Sequence, residues 1–221
     1  MTIRYADNFA QRINHRVPSM SYAADVEMGK PYKINYGALA AISNTFVVAA
    51  TASSTGGGTL LASTATPITL APTWGQAVSI TASGTVTSGY LCTVTGRDYL
   101  GQRLVETIQP ATGATVNGKK AFKYVDSVTY ATGVGAAGNF SVGNAKVYGV
   151  PYKTLSILAS FESGLTATAG TLANSTDTQT VTSNDPRGTI APNGTPNATI
   201  TFSYVVTVDE TNLHGVAHVT A

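Results

Sequence analysis

Over much of the chain, apolar and polar residues alternate one by one. The period-two stretches cover 78–82, 90–95, 103–108, 122–130, 146–150, 155–158 and 199–208. Successive side chains of a strand point to opposite faces, so each stretch predicts an antiparallel strand with one face on a core and the other in water. Val, Ile, Tyr and Thr fill these stretches, while Gly, Asn, Ser and Pro separate them, which favours many short strands. Residues 39–50 are ambiguous: their alanines favour helix, but Thr45, Val47 and Val48 favour strand, and strand is the preferred reading. The run 51–59, rich in Ser, Thr and Gly, reads as a loop. With no self-similarity at 20 to 50 residues, a propeller or solenoid is disfavoured. The expected fold is all-β: an antiparallel β-sandwich, jelly-roll-like.

The pattern breaks near the N-terminus. Residues 1–33 carry eight of the 24 charges, and then 63 residues, 34 to 96, carry none. Tyr5, Phe9, Met20 and Tyr22 are scattered among those early charges without a sustained period, and Pro18 and Pro31 interrupt them. Such a segment builds a poor core of its own. It reads as an N-terminal arm over 1–35, extended or partly helical, before a β-domain over 36–221. Exposed aromatics and arginines suit interface hot spots. Tyr5, Phe9, Arg12, Arg16 and Tyr22 are therefore the candidate partner-binding residues.

Composition narrows the function. Charged residues make up 11% of the 221, less than half the ~25% usual for soluble domains, so the surface is built mainly from hydroxyls, amides and small side chains. A net charge of +2 is too small for a phosphate-tracking surface, and nucleic acid is not an expected partner. Apolar runs such as 46–50 fall far short of the ~20 residues that span a bilayer, so no membrane is expected either. The start of the chain lacks the apolar core of a secretory signal, so the protein is expected to be made and kept in the cytosol. A single cysteine, Cys92, excludes an internal disulfide framework and a zinc site built on several thiolates.

Catalytic constellations are sparse. A nucleophile needs a base held by a third group, and the only histidines are His15, His214 and His218. His214 and His218 share a face at four-residue spacing, but Gly215 between them disfavours the helix that would make them good metal ligands. Cys92 falls on the apolar side of its strand and reads as a buried, inert thiol. Glu106 and Asp126 sit beside basic residues on predicted strands, where cross-strand ion pairing is the simpler role. Asp98-Tyr-Leu-Gly101 lacks the alternating acids of a calcium loop and reads as a turn. No phosphate-cradling glycine motif is present. The expectation is a non-enzyme with no catalytic residue, metal or cofactor.

The segment from Val94 to Ile108 reads as strand, tight turn, strand. Its Thr95-Gly-Arg-Asp-Tyr-Leu-Gly turn before a Val105-Glu-Thr-Ile strand resembles a hairpin of tailed-bacteriophage virion proteins. Further matches follow in order: 120–129 resembles the next strand, 140–152 the following hairpin, and 185–194 the turn before the last long strand. Together they are spread over about half the chain, from 94 to 194. The resemblance implies a head decoration, or cement, protein on the virion's capsid surface, which ties neighbouring major capsid protein subunits together. The expected partners are the major capsid protein and further copies of the chain, as a dimer or trimer. The alternative is a tail or baseplate module recognising host glycan near Trp74 or a tyrosine cluster.

Overall fold

The computed structural model describes residues 31–52, 56–63, 66–86, 89–131 and 138–218, and within them finds strands and no helix. In chain order the strands are β1 (Pro31–Ala38), β2 (Val48–Ala52), β3 (Gly58–Leu61), β4 (Ile68–Thr69), β5 (Gln76–Ala82), β6 (Cys92–Arg97), β7 (Arg103–Ile108) and β8 (Thr115–Asn117). They continue as β9 (Tyr124–Tyr130), β10 (Asn139–Gly149), β11 (Thr154–Glu162), β12 (Leu165–Thr166), β13 (Thr171–Ala173), β14 (Thr189–Ala191) and β15 (Thr201–Val208). Each pairing is antiparallel. The all-β, sandwich-like class read from the alternation is the class of the fold.

Three sheets enclose two cores. The first sheet has the order β1-β15-β11-β12; the second is β13-β14-β10-β5-β8 with β2 also on β10; the third is β3-β9-β6-β7 with β4 also on β9. One core joins the second sheet to the third through Val78, Ile80, Phe140 and Val142 against Cys92, Val94, Leu104 and Val128. The other joins the second sheet to the first through Tyr148 and Ile190 against Ile34, Tyr36, Phe202, Tyr204 and Val206. The long strand β10 therefore serves both cores, Phe140 and Val142 in one and Tyr148 in the other.

Where β10 passes between the cores its register against β5 breaks: Asn144 faces Val78, but the next matched pair is Tyr148 with Gln76. A bulge leaves backbone groups unpaired, and buried ones need another partner. Gln76 supplies it, donating from Nε2 to the Ala145 carbonyl at 2.7 Å, while its Oε1 accepts from Asn144 Nδ2 at 3.4 Å. Asn144 Oδ1 accepts the Ser43 N–H at 2.7 Å and the Asn144 N–H returns to the Ser43 carbonyl. A Cβ on Gly143 would collide with Ser43 and Asn44, so only glycine allows this approach.

Some boundaries differ from the expectation. β1 begins at Pro31 and takes residues 31–35, read above as the end of the arm, into the β body; its buried Ile34 and Tyr36 alternate with exposed Lys33 and Asn35. The charges at Lys30 and Lys33 hid this alternation. Residues 39–47 are not a strand, since the chain there turns to meet Asn144, and only Val48 onward joins β2. The stretch 140–152 is no hairpin: 140–149 lies in the single strand β10, which bridges the cores. The 51–59 loop shortens, because Thr51 and Ala52 end β2 and Gly58 and Thr59 open β3.

Candidate functional site

The densest chemistry lies around the β6–β7 turn. Asp98 is fully buried, and its Oδ1 accepts the N–H groups of Leu100 at 2.9 Å and Gln102 at 2.8 Å. Gly101, with φ of +82°, permits so tight a turn. Asp98 Oδ2 meets Arg187 Nη1 at 3.0 Å and lies 3.4 Å from His218 Nε2. Arg187 in turn lies over the Tyr99 ring, 4.9 Å from its centroid, and the Tyr99 hydroxyl donates to the Pro151 carbonyl at 2.6 Å.

A second layer backs the first. Asp185 accepts the Arg187 N–H at 3.0 Å and the Ala121 N–H at 3.2 Å. Glu106 on β7 accepts the N–H groups of Lys119 at 2.6 Å and Lys120 at 3.3 Å, and Lys120 Nζ donates to the Thr180 carbonyl at 2.7 Å. These groups come from the β6–β7 hairpin, the chain after β8, the segment before β14 and the end of the described chain. They fasten strands of the third sheet to segments leading into the first and second.

Burial dominates the titration of this cluster. It pushes the Glu106 carboxyl up to about 7, against the opposing pull of the Lys119 and Lys120 N–H groups. At Asp98 burial also acts upward, but the His218 imidazole and the Arg187 guanidinium outweigh it and leave the carboxyl below its ordinary range. Lys120 is held below its usual value by burial, with Glu106 and Asp185 resisting.

An Asp–His contact invites a catalytic reading, but nucleophilic chemistry needs a hydroxyl or thiol on the far nitrogen of the imidazole. Among the described residues, His218 Nδ1 is buried without a hydrogen-bond partner. The Cys92 thiol lies in the first core, where burial raises it to about 12. Among the described residues no group of three His, Cys, Asp or Glu is placed to hold a metal ion. The contacts described tie the β6–β7 turn to the segment before β14 and to His218.

The residues singled out in the sequence separate accordingly. His214 and His218 have different surroundings: His214 packs against Tyr152, with ring centroids 6.1 Å apart, and His218 faces Asp98. Asp126 pairs with Arg97 at 2.9 Å across β9 and β6, as expected. Glu106 differs from its expected ion pairing and binds backbone N–H groups. Trp74 packs against the second core, edge-on to Tyr36 at 5.4 Å. Tyr5, Phe9, Arg12, Arg16 and Tyr22 lie outside the described residues. Asp98, Asp185 and Arg187 were legible only as turn residues.

The outward face of the third sheet carries hydroxyls. Thr59 pairs with Thr129, Thr129 with Thr93 and Thr93 with Thr107, one row of threonines across β3, β9, β6 and β7. Their neighbours Cys92, Val94 and Val128 point into the core, so strand alternation turns this row outward. No family model, no curated protein and no solved structure matches the chain.

Proposed function

We propose that this protein is a head decoration protein of a tailed bacteriophage: it binds the outer surface of the assembled capsid and ties major capsid protein subunits together without catalysing a reaction. The observation that carries this reading is the division of labour in the body. Its buried ionisable groups hold one segment to another, and the outward face of the third sheet includes a row of threonines, exposed at Thr59 and Thr129 and half-buried at Thr93 and Thr107. Such a body suits contact by area. The hairpin turn at Asp98, which resembles phage virion proteins, supports the same reading.

A cement protein works by mass action. It binds the assembled shell in preference to loose subunits, so modest affinity repeated over many copies stabilises the particle. Low surface charge limits both repulsion between crowded copies and the desolvation of a broad interface. In this reading the arm supplies anchors through Tyr5, Phe9, Arg12, Arg16 and Tyr22.

The test is co-sedimentation with heads that lack the protein. The full chain is expected to bind and to raise the temperature at which heads rupture. A chain starting at Pro31, which keeps β1 whole, is expected to lose most of that binding. No binding by the full chain would refute the decoration role; equal binding by the truncated chain would refute the arm's part in it.

A further inference from the structure

The loop from β14 to β15 contains Asn193 followed by Gly194, and two charged side chains grip the peptide unit that joins them. Lys146 Nζ donates to the Asn193 carbonyl oxygen at 2.8 Å, and Glu162 Oε1 accepts the Gly194 N–H at 2.8 Å. The two come from separate strands: Lys146 from the irregular middle of β10, where the register against β5 breaks, and Glu162 from the end of β11. The carboxylate lies close against the backbone. A Cβ on residue 194 would meet it, so a larger residue there would push Glu162 away. Further along, the Ala198 N–H donates to the Leu39 carbonyl at 2.7 Å and anchors the loop.

Opposite charges at the two ends of one peptide unit favour one event, the loss of its N–H proton. Deprotonation spreads negative charge over the amide nitrogen and oxygen; the carboxylate can receive the proton, and the ammonium stabilises the charge on oxygen. The nucleophile so formed, Gly194 N, is adjacent in the chain to an electrophile, the side-chain amide carbon Cγ of Asn193. Attack closes a five-membered ring with no encounter step, and glycine offers no side chain to hinder it.

We propose that Asn193 is a self-modification site, at which the fold converts the side-chain amide to a carboxylate through a cyclic imide, with Glu162 as general base and Lys146 stabilising the developing charge. Glu162 takes the Gly194 proton, the bond from Gly194 N to Asn193 Cγ forms, the Cγ–Nδ2 bond breaks, and the proton leaves on the departing ammonia. Water then opens the imide at either carbonyl, giving aspartate or isoaspartate. Glu162 ends as it began, and nothing is oxidised or reduced. Asn117 and Gly118 repeat the same dipeptide without this environment. Asn117 lies in β8 opposite Ser79, and the Gly118 N–H donates to the Val78 carbonyl at 2.7 Å, an acceptor that is no base.

This reaction is independent of head binding, and the full chain tests it without heads. Folded protein and protein in urea are held in the same neutral buffer, and peptide mass spectrometry follows the amide-to-acid gain at Asn193 and Asn117. In urea the two asparagines are expected to convert at similar rates; in the folded protein Asn193 converts faster than in urea and Asn117 more slowly. Glu162→Gln keeps a hydrogen-bond acceptor but no base, and is expected to slow folded Asn193 by about tenfold or more. Lys146→Met is expected to slow it as well. Folded protein that converts Asn193 no faster than unfolded, equal conversion of Asn117 in the folded state, or undiminished conversion in folded Glu162→Gln would each overturn the proposal. If Glu162→Gln misfolds, the parent's folded and unfolded rates decide.

Discussion

Asp98 and Arg187 stand 89 positions apart in the chain and meet at 3.0 Å with both side chains out of water. One closes a hairpin of the third sheet, and the other precedes β14 of the second.

Breaking that pair exposes its role. Removing one partner of a buried pair leaves an uncompensated charge and costs about 3–5 kcal/mol. Arg187→Met is expected to destabilise by that order, measured by urea unfolding. Asp98→Asn combined with Arg187→Met should lose less than the sum of the two single changes, because the second change then strands no carboxylate. Strict additivity would show that the two do not act as a unit.

Glu106 gives the protein a pH signature. Its folded carboxyl titrates at about 7 against an ordinary 4.5. The folded chain therefore keeps a proton that the unfolded chain has released, and stability falls as pH rises from 4.5 to 7, by about 3 kcal/mol in all. Asp98 acts in the opposite sense: its stabilisation is present above the ordinary carboxylate range and is lost as pH falls through its lowered value. Urea midpoints between pH 4.5 and 8 should decline in the parent and flatten in Glu106→Gln. An unchanged slope in that variant would refute the assignment.

Gln76 holds the bulge of β10. Gln76→Leu keeps the volume roughly but leaves the Ala145 carbonyl and the Asn144 amide without that partner. Each buried unsatisfied group costs about 1–3 kcal/mol, so for the two a loss of about 2–6 kcal/mol is expected by thermal or urea unfolding. Hydrogen exchange at β10 amides should accelerate alongside it.

Cys92 offers a simple probe of the first core. With its thiol raised to about 12 and no exposure, alkylation near pH 8 should be negligible in the native protein and complete in denaturant. Ready labelling of the native chain would mean that β6 is not packed as described.

Alternation is a local property, since the two faces of a strand follow from the geometry of consecutive residues. The seven period-two stretches each overlap a strand; 103–108 coincides with β7, and the Asp98 turn lies where its Gly-Asp chemistry put it. So the sequence by itself determined an all-β chain with these strands and a hairpin at Asp98. Tertiary structure alone decided the rest. Whether Asp98 is a surface turn or a buried anchor depends on Arg187 and His218 arriving from distant segments. Whether Leu155 and Leu158, both exposed, face the core depends on the two bulges of β11 that exist only against β15. That β10 spans two cores depends on Gln76 and Asn144 satisfying its irregular middle. In each case the deciding partner lies too far along the chain for any local period to register it.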